Sequence, residues 1–383
     1  MIAGSLYSGI GGLDWACETA LGCSSAWQLD LTGADVRRRH WPDALQVESD
    51  VATVDPCDLP RIDVLCGGFS CKGLSVAGGM RVLGHPETRT TYFGLLKFAG
   101  ANPSLLSWRE GDDKWGHDLQ VVPVAHGPEM VVVENVPAML SHMREPMEQH
   151  FSAIGYGLTW VRCGAWDAGA PHIRRRVFVV GVRGGKGRVV IDAPDGGRWT
   201  PESDARTWAS AKASDARSPG PSSGGGVREG SDGLACQVRT WATPAARDWR
   251  TGELSGRNGS EALNQQDTDY PRSPFGSRLS PDWVETLQGF PAGWTLPTGP
   301  RLEVDPAPRW PRGRYPATWD RSLLWPGYDW ELARTLPDGP PCPGRPARIR
   351  SLGNAVCPQS GDLAIRAALE TPVQPSLLTW RPT

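Results

Sequence analysis

The chain has 383 residues, enough for two domains, and a hydrophobic content of 39%, that of an ordinary globular protein. It contains no run of 18 apolar residues, and its start, MIAGSLYSGIGG, has neither a basic region nor a cleavage pattern, which argues against a membrane span or a secretory leader and for the cytoplasm. Net charge is −2, so any contact with nucleic acid must come from a local basic face; nine cysteines without a CxxC pair or a Cys/His group at zinc spacing read as free thiols and no metal site.

Ile2 to Tyr7 reads as a short strand running into Ser8-Gly9-Ile10-Gly11-Gly12 and then a helix, LDWACETALG. A strand, a glycine turn and a helix N-terminus together can hold a carboxylate or phosphate on backbone N–H groups. A second strand, Ser25 to Leu29, ends at Asp30, where α/β nucleotide sites carry an acidic side chain for ribose hydroxyls. Asp50-Val51 marks a third acidic strand end, and Arg61 to Phe69 supplies a fourth strand.

That fourth strand delivers Gly67 to Gly78, GGFSCKGLSVAG. Cys71 is thus presented on a glycine-punctuated loop at a strand tip, where a nucleophile belongs, although a small buried thiol in a tight turn fits the loop equally well. Lys72 alongside would favour the thiolate. From Arg81 to Gly127, Gly, Pro and charged residues break any helix longer than about two turns, so part of this stretch reads as a mobile loop. Met130 to Val133, mostly β-branched, marks a fully buried parallel strand with Glu134 at its carboxyl edge, facing the same crevice as Cys71. A helix is expected around Pro146 to Ile154, followed by a hairpin-like pair of strands, Leu158 to Gly164 and Arg174 to Gly181. Alternation puts Arg174 and Arg176 on one face with Phe178.

After Arg183 the composition changes. Residues 203–233 have almost nothing to bury and read as a flexible insertion, and the region 185–280 is nearly neutral. Trp208, Trp241 and Trp249, near Arg247 and Arg250, are either groove-facing or core anchors. Leu279 to Thr295 restores helical periodicity, with Ser280 as cap and Pro281 at the first helical position. Residues 296–346 are rich in Pro and Trp, and RIRSLGNAVCPQ, Arg348 to Gln359, opens a last apolar helix from Ser360 to Leu369.

In this order the fragments resemble the cytosine-C5 DNA methyltransferases. LYSGIGG is similar to the family's first AdoMet motif, GGFSCKGLSVAG to its nucleophile loop, and ENV at Glu134 to Val136 to its glutamate motif. APHIRRRVF at Ala170 to Phe178 resembles the paired-arginine motif, LQGFP at Leu287 to Pro291 the late helix, and LGNAV at Leu352 to Val356 the last motif. The resemblance implies a Rossmann-like α/β catalytic domain at 1–184, a smaller loop-rich target-recognition domain at 185–295, a connection at 296–346, and a segment at 347–383 that returns to complete the first domain.

It also implies the chemistry: AdoMet as methyl donor and flipped-out cytosine in double-stranded DNA as acceptor, in a monomeric enzyme of a bacterial or phage-infected cell. Cys71 would add to C6, Glu134 would hold the base, and Arg176 with Arg174 would hold the C2 carbonyl. Tyr7, Gly9, Ile10, Gly11, Gly12, Gln28, Leu29, Asp50, Val51, Ser70, Asn354 and Val356 would line the cofactor, and Lys72 and Ser75 the substrate loop. Several positions depart from the family pattern. The family has Pro-Cys-Gln where this chain has Ser70-Cys71-Lys72, a ribose-binding Glu where Gln28 stands, an Asp at Ser5 and a Gln at His172. The 63 residues from Cys71 to Glu134 suggest an insertion between Arg81 and His117. A silent relative that binds DNA without methylating it, and an RNA cytosine methyltransferase, are the alternative readings.

Overall fold

A computed structural model describes residues 1–74, 80–108, 111–124, 127–170, 174–185, 188–193, 278–279, 281–305, 335–336 and 344–371. Its strands are β1 (Ile2–Leu6), β2 (Ser24–Leu29), β3 (Leu45–Val47), β4 (Val64–Gly67), β5 (Met130–Asn135), β6 (Tyr156–Gly164), β7 (Arg175–Arg183) and β8 (Arg188–Asp192), with a separate pair, β9 (Arg278–Leu279) and β10 (Thr335–Leu336). The helices are α1 (Gly12–Leu21), α2 (Ala34–His40), α3 (Pro86–Phe98), α4 (Ala138–Ala153), α5 (Pro281–Leu287), α6 (Arg345–Asn354) and α7 (Pro358–Glu370).

Eight strands form one mixed sheet in the order β3-β2-β1-β4-β5-β7-β6-β8. β1 to β5 run parallel, β7 is antiparallel to both β5 and β6, and β6 is parallel to β8. The strand expected to be wholly parallel at Met130 therefore has one parallel and one antiparallel neighbour. The chain order reverses between β1 and β4, and ligands of open α/β sheets bind beyond the carboxyl ends at such a reversal. Leu6, Gly67 and Val133 lie in one row of the register, so the loops after β1 and β4 and the end of β5 open on one crevice.

Two apolar layers cover the sheet. On one face Leu65, Val131, Val133, Val177 and Val179 pack against Tyr92, Leu95 and Leu96 of α3 and Met139, Met143, Met147 and Phe151 of α4. On the other, Val64, Cys66, Val132 and Phe178 meet Leu13, Ala16 and Cys17 of α1 and Ala364, Ile365 and Ala368 of α7. A third cluster joins Ile10, Val36 and Trp41 to Val284, Phe290, Trp294, Ile349 and Leu352. The last helices are thus docked directly behind the first glycine loop. Among the described residues no helix is long and apolar enough to cross a membrane.

Several expected boundaries move. The broken pattern after Arg81 contains α3, a 13-residue helix. Pro86 occupies its first turn, where a missing N–H costs nothing, and Gly94 is required because a Cβ there would lie 2.6 Å from Val51 and 2.7 Å from the Tyr7 hydroxyl. α4 begins at Ala138, well before Pro146, which lies inside the helix. Met139, Met143 and Met147, fully buried at four-residue spacing, carry it across the proline because tertiary packing supplies most helix stability. Leu352 to Asn354 end a separate helix, α6, rather than leading into α7, and α5 closes at Leu287. The stretch 203–233, Trp208, Trp241, Trp249, Arg247, Arg250, His172, Ser280 and Ser75 lie outside the described residues.

Candidate active site

The nucleophile loop leaves β4 at Gly67 and turns immediately. A Cβ on Gly67 would sit 2.6 Å from the Leu6 carbonyl oxygen, and one on Gly68 would meet the Glu134 carbonyl oxygen at 2.8 Å and its carboxylate at 3.2 Å. Glycine at both positions lets the loop lie against β1 and β5. Asn135 then fastens it: its side-chain amide donates to the Phe69 carbonyl at 2.9 Å, while its Oδ1 accepts from the Val136 N–H at 2.8 Å. Asn135 is 3% exposed, and it belongs to the ENV stretch, yet only the folded chain shows that this residue and not Glu134 holds the loop.

Cys71 is exposed. Atoms crowded behind its sulfur desolvate it and push the thiol above its ordinary value, the Glu134 carboxylate adds to the rise, and the Arg176 guanidinium opposes it. The Lys72 ammonium is paired with Glu87 of α3, and the Arg176 guanidinium is the cation that opposes the rise at Cys71.

Glu134 stands opposite Phe178 in the β5–β7 ladder, and Arg176, two residues earlier on β7, shares its face. Arg176 Nε lies 2.7 Å from Glu134 Oε1, and the two side chains are 21% and 14% exposed. Arg176 also donates to the Arg175 carbonyl at 2.8 Å. Arg174 does not join them on that face. It precedes β7 with φ of 23°, is 5% exposed, and donates to the carbonyls of Gly353 (3.2 Å), in the last turn of α6, and Ala355, just after it. Burial, with Arg176 nearby, pushes its pKa down to about 9. The alternation rule does not reach Arg174 because the residue lies outside the strand, and its guanidinium meets the carbonyls of Gly353 and Ala355.

The glycine loop is held from behind. Asp30 Oδ2 accepts from the Gly9 N–H at 2.9 Å and Arg37, fully buried, donates to the Gly9 carbonyl at 2.8 Å. At Gly9 (φ 55°) a Cβ would meet nothing within 4 Å, so the loop faces open space. Gly11 and Gly12 have a different job: Cβ atoms there would strike the Trp41 ring at 2.2 Å and the Val356 carbonyl oxygen at 2.5 Å. Tyr7 (φ 56°) donates to the Thr91 carbonyl at 2.6 Å, and burial together with the carboxylates of Asp50 and Asp30 raises its hydroxyl well above the ordinary value. Asp50 itself is exposed and caps a turn through the Ala52 N–H.

Four of the expected cofactor residues have buried side chains. Ile10, Leu29 and Val51 are core residues, 1–3% exposed. Gln28 is fully buried, donates to Asp14 Oδ1 at 2.7 Å and accepts from Gln46 at 2.7 Å, because its side of β2 faces α1 and β3. Tyr7, Gly9, Asp50, Ser70 and Val356 keep surface toward the solvent side, and Asn354 is exposed at the end of α6. The open side of Gly9, the Asp30 carboxylate on its N–H and the carboxylates of Asp50 and Asp30 acting on Tyr7 offer acceptors of the kind a nucleoside's hydroxyl and amino donors need. Among the described residues no group of three or more His, Cys, Asp or Glu side chains could hold a metal ion.

A Rossmann-like sheet with a glycine loop after its first strand and a presented thiol after its fourth is the fold of the AdoMet-dependent methyltransferases. The C-5 cytosine-specific DNA methylase family model matches residues 1–101 and 120–216, more than half of the chain, and the chain belongs to that family. The unmatched residues 102–119 overlap the insertion expected after Arg81. The chain is similar to the Type II methyltransferase M.NlaIV of Neisseria lactamica, 25% identical over 46% of this chain and 40% of that protein. It is also similar to the Type II methyltransferase M.NgoFVII of Neisseria gonorrhoeae, 28% identical over 47% of this chain and 43% of that protein. It thus spans less than half the length of these relatives. Among solved structures, the S. pombe Dnmt2 methyltransferase shares the fold, with a TM-score of 0.51 over 97% of this chain and 98% of that one at 15% identity.

Proposed function

We propose that the chain is a DNA (cytosine-5)-methyltransferase that moves a methyl group from AdoMet to C5 of a cytosine swung out of double-stranded DNA. The observation that carries this reading is the convergence, in a member of the methylase family, of an exposed Cys71 with the Glu134–Arg176 pair at one crevice. C5 of cytosine is a poor nucleophile, so the Cys71 thiol gives up its proton and the sulfur bonds to C6, which makes C5 electron-rich. Glu134 binds the base at N3 and the exocyclic amine, and Arg176 holds the C2 carbonyl and offsets charge as it develops there. AdoMet, when bound, supplies an electrophilic methyl group to C5. Loss of the C5 proton and breaking of the S–C6 bond then restore the aromatic ring and the thiolate.

A base paired in a duplex exposes neither face of this bond, so the cytosine must be extruded. Tyr7, Gly9, Asp50, Ser70, Asn354 and Val356 are the residues assigned to AdoMet, with Asp30 in the ribose role that Gln28 cannot fill from its buried position. The packing of α7 on α1 and β6 supports a catalytic domain that the C-terminal segment completes, with target recognition assigned to 185–295. Incubation with tritiated AdoMet and mixed-sequence DNA tests the proposal: acid-stable label on DNA, absent from a Cys71→Ala control, is expected, and its absence in the unaltered protein refutes it. Covalent capture on 5-fluorocytosine DNA tests the nucleophile separately.

A further inference from the structure

The two residues that replace the family's proline and glutamine around the cysteine bind the same carboxylate. Ser70 Oγ donates to Glu87 Oε1 at 3.0 Å, and Lys72 Nζ pairs with Glu87 Oε2. One carboxylate therefore bridges both neighbours of Cys71. The same face of α3 supplies two further anchors. Thr91 Oγ1 accepts from the Ser70 N–H at 3.0 Å while donating to the Glu87 carbonyl at 2.7 Å, and Thr88 Oγ1 accepts from the Gly73 N–H at 2.8 Å. Residues 70, 72 and 73 are each held by α3, and the sulfur between them is left exposed.

A proline before the cysteine restricts φ by its ring; a serine there has no such restraint. We infer that Glu87 is a positioning residue that clasps Ser70 and Lys72 and so sets the direction of Cys71, taking over the constraint that a proline supplies covalently. The inference rests on the reading of Cys71 as the nucleophile. Glu87 lies in the first turn of α3, where the helix dipole favours a carboxylate. The Lys72 and Glu87 side chains are 62% and 47% exposed, and ion pairs so open to water add little to folding stability. A purely structural role therefore predicts almost no consequence of removing Glu87, whereas a positioning role predicts a change at the sulfur.

The test compares the full chain with Glu87→Ala, Glu87→Gln and the double variant Ser70→Pro/Glu87→Ala. Two readouts are used: the rate of Cys71 alkylation by iodoacetamide, followed by mass spectrometry, and methyl transfer to DNA. Glu87→Ala is expected to melt within about 3 °C of the unaltered protein, as loss of an exposed pair allows. Its Cys71 should alkylate roughly 3–10-fold faster, because the sulfur loses both its restraint and a neighbouring negative charge, while kcat falls by about tenfold or more with the KM for AdoMet unchanged. Ser70→Pro in the same chain limits φ again but gives up the Ser70 N–H bond to Thr91 Oγ1, so it should restore only part of the lost kcat. Glu87→Gln, which keeps a hydrogen-bond acceptor and loses the charge, should fall between, and serves if the alanine variant does not fold. Alkylation and transfer both at the unaltered rate in a folded Glu87 variant overturn the inference. If the unaltered protein labels no DNA while Cys71 alkylation still answers to Glu87, the methyltransferase reading fails and the clasp stands.

Discussion

Arg176 reaches Glu134 across two antiparallel strands, Nε to Oε1 at 2.7 Å, so the two side chains assigned to the base are paired with each other before any base arrives. Each orients the other in a partly enclosed site, and substrate has to divide the pair rather than assemble it. Glu134→Gln is expected to lower kcat by about 100-fold or more, the range of a lost general acid–base group, and to cost about 1 kcal/mol of stability because the charge-assisted bond to Arg176 becomes a neutral one. Steady-state labelling and urea denaturation check the two effects. A Glu134→Gln protein with kcat within threefold of the unaltered one would exclude Glu134 from the chemistry.

Gly68 is the position where the nucleophile loop passes closest to Glu134. An added Cβ must lie 2.8 Å from the Glu134 carbonyl oxygen and 3.2 Å from its carboxylate, closer than real contacts allow. Gly68→Ala should therefore part the loop from β5 and lower methyl transfer by roughly tenfold, the effect of a small misplacement at a reacting centre. The melting temperature and the rate of labelling, measured together, distinguish this from general unfolding.

The pH dependence of Cys71 follows from its surroundings. Desolvation and Glu134 raise the thiol above its ordinary value, and Arg176 holds it down. In the protein without DNA, the midpoint of the iodoacetamide rate against pH should lie above that of a free cysteine. Arg176→Ala should move the midpoint higher still and Glu134→Gln should move it lower, since one change removes the opposing cation and the other a neighbouring anion. Opposite movements would show that other charges govern the sulfur.

Asp14 offers a stability test away from the chemistry. It is buried at the start of α1, accepts from Gln28, has its second oxygen without a hydrogen-bond partner, and is pushed up to about 6, chiefly by burial. A carboxylate raised in the folded state leaves the protein most stable below its unfolded pKa and less stable as pH rises through about 6. Asp14→Asn should accordingly stabilise the protein at pH 7 by about 1–3 kcal/mol and by little at pH 4. Thermal melts of both proteins across that range measure the difference.

Much of the fold could be read locally. Strands β1, β2, β4 and β5 stand where short, largely apolar runs lead into a glycine loop or an acidic residue, and the crevice follows from the order of those strand ends. Helix α3 could not be read because Gly94 and Pro86 look like breakers in sequence; one is needed by the approach of Val51 and Tyr7, the other sits where a proline is harmless. Likewise Arg37, in the run Arg37-Arg38-Arg39, has no local mark of being fully buried, and the carbonyls of Gly9 and Thr32 with the amide oxygen of Gln46 explain it.

By itself, the sequence determined the family, the order of the motifs and the presentation of Cys71 at a strand tip. These depend on backbone preferences and spacing within about a dozen residues. The tertiary structure alone decided which partners the polar side chains take. Gln28 turns to Asp14 and Gln46, Arg174 to the carbonyls of Gly353 and Ala355, and Lys72 to Glu87. Each of these choices is made by partners on other elements, because a buried or half-buried polar group takes whichever hydrogen-bonding groups the packing brings within reach.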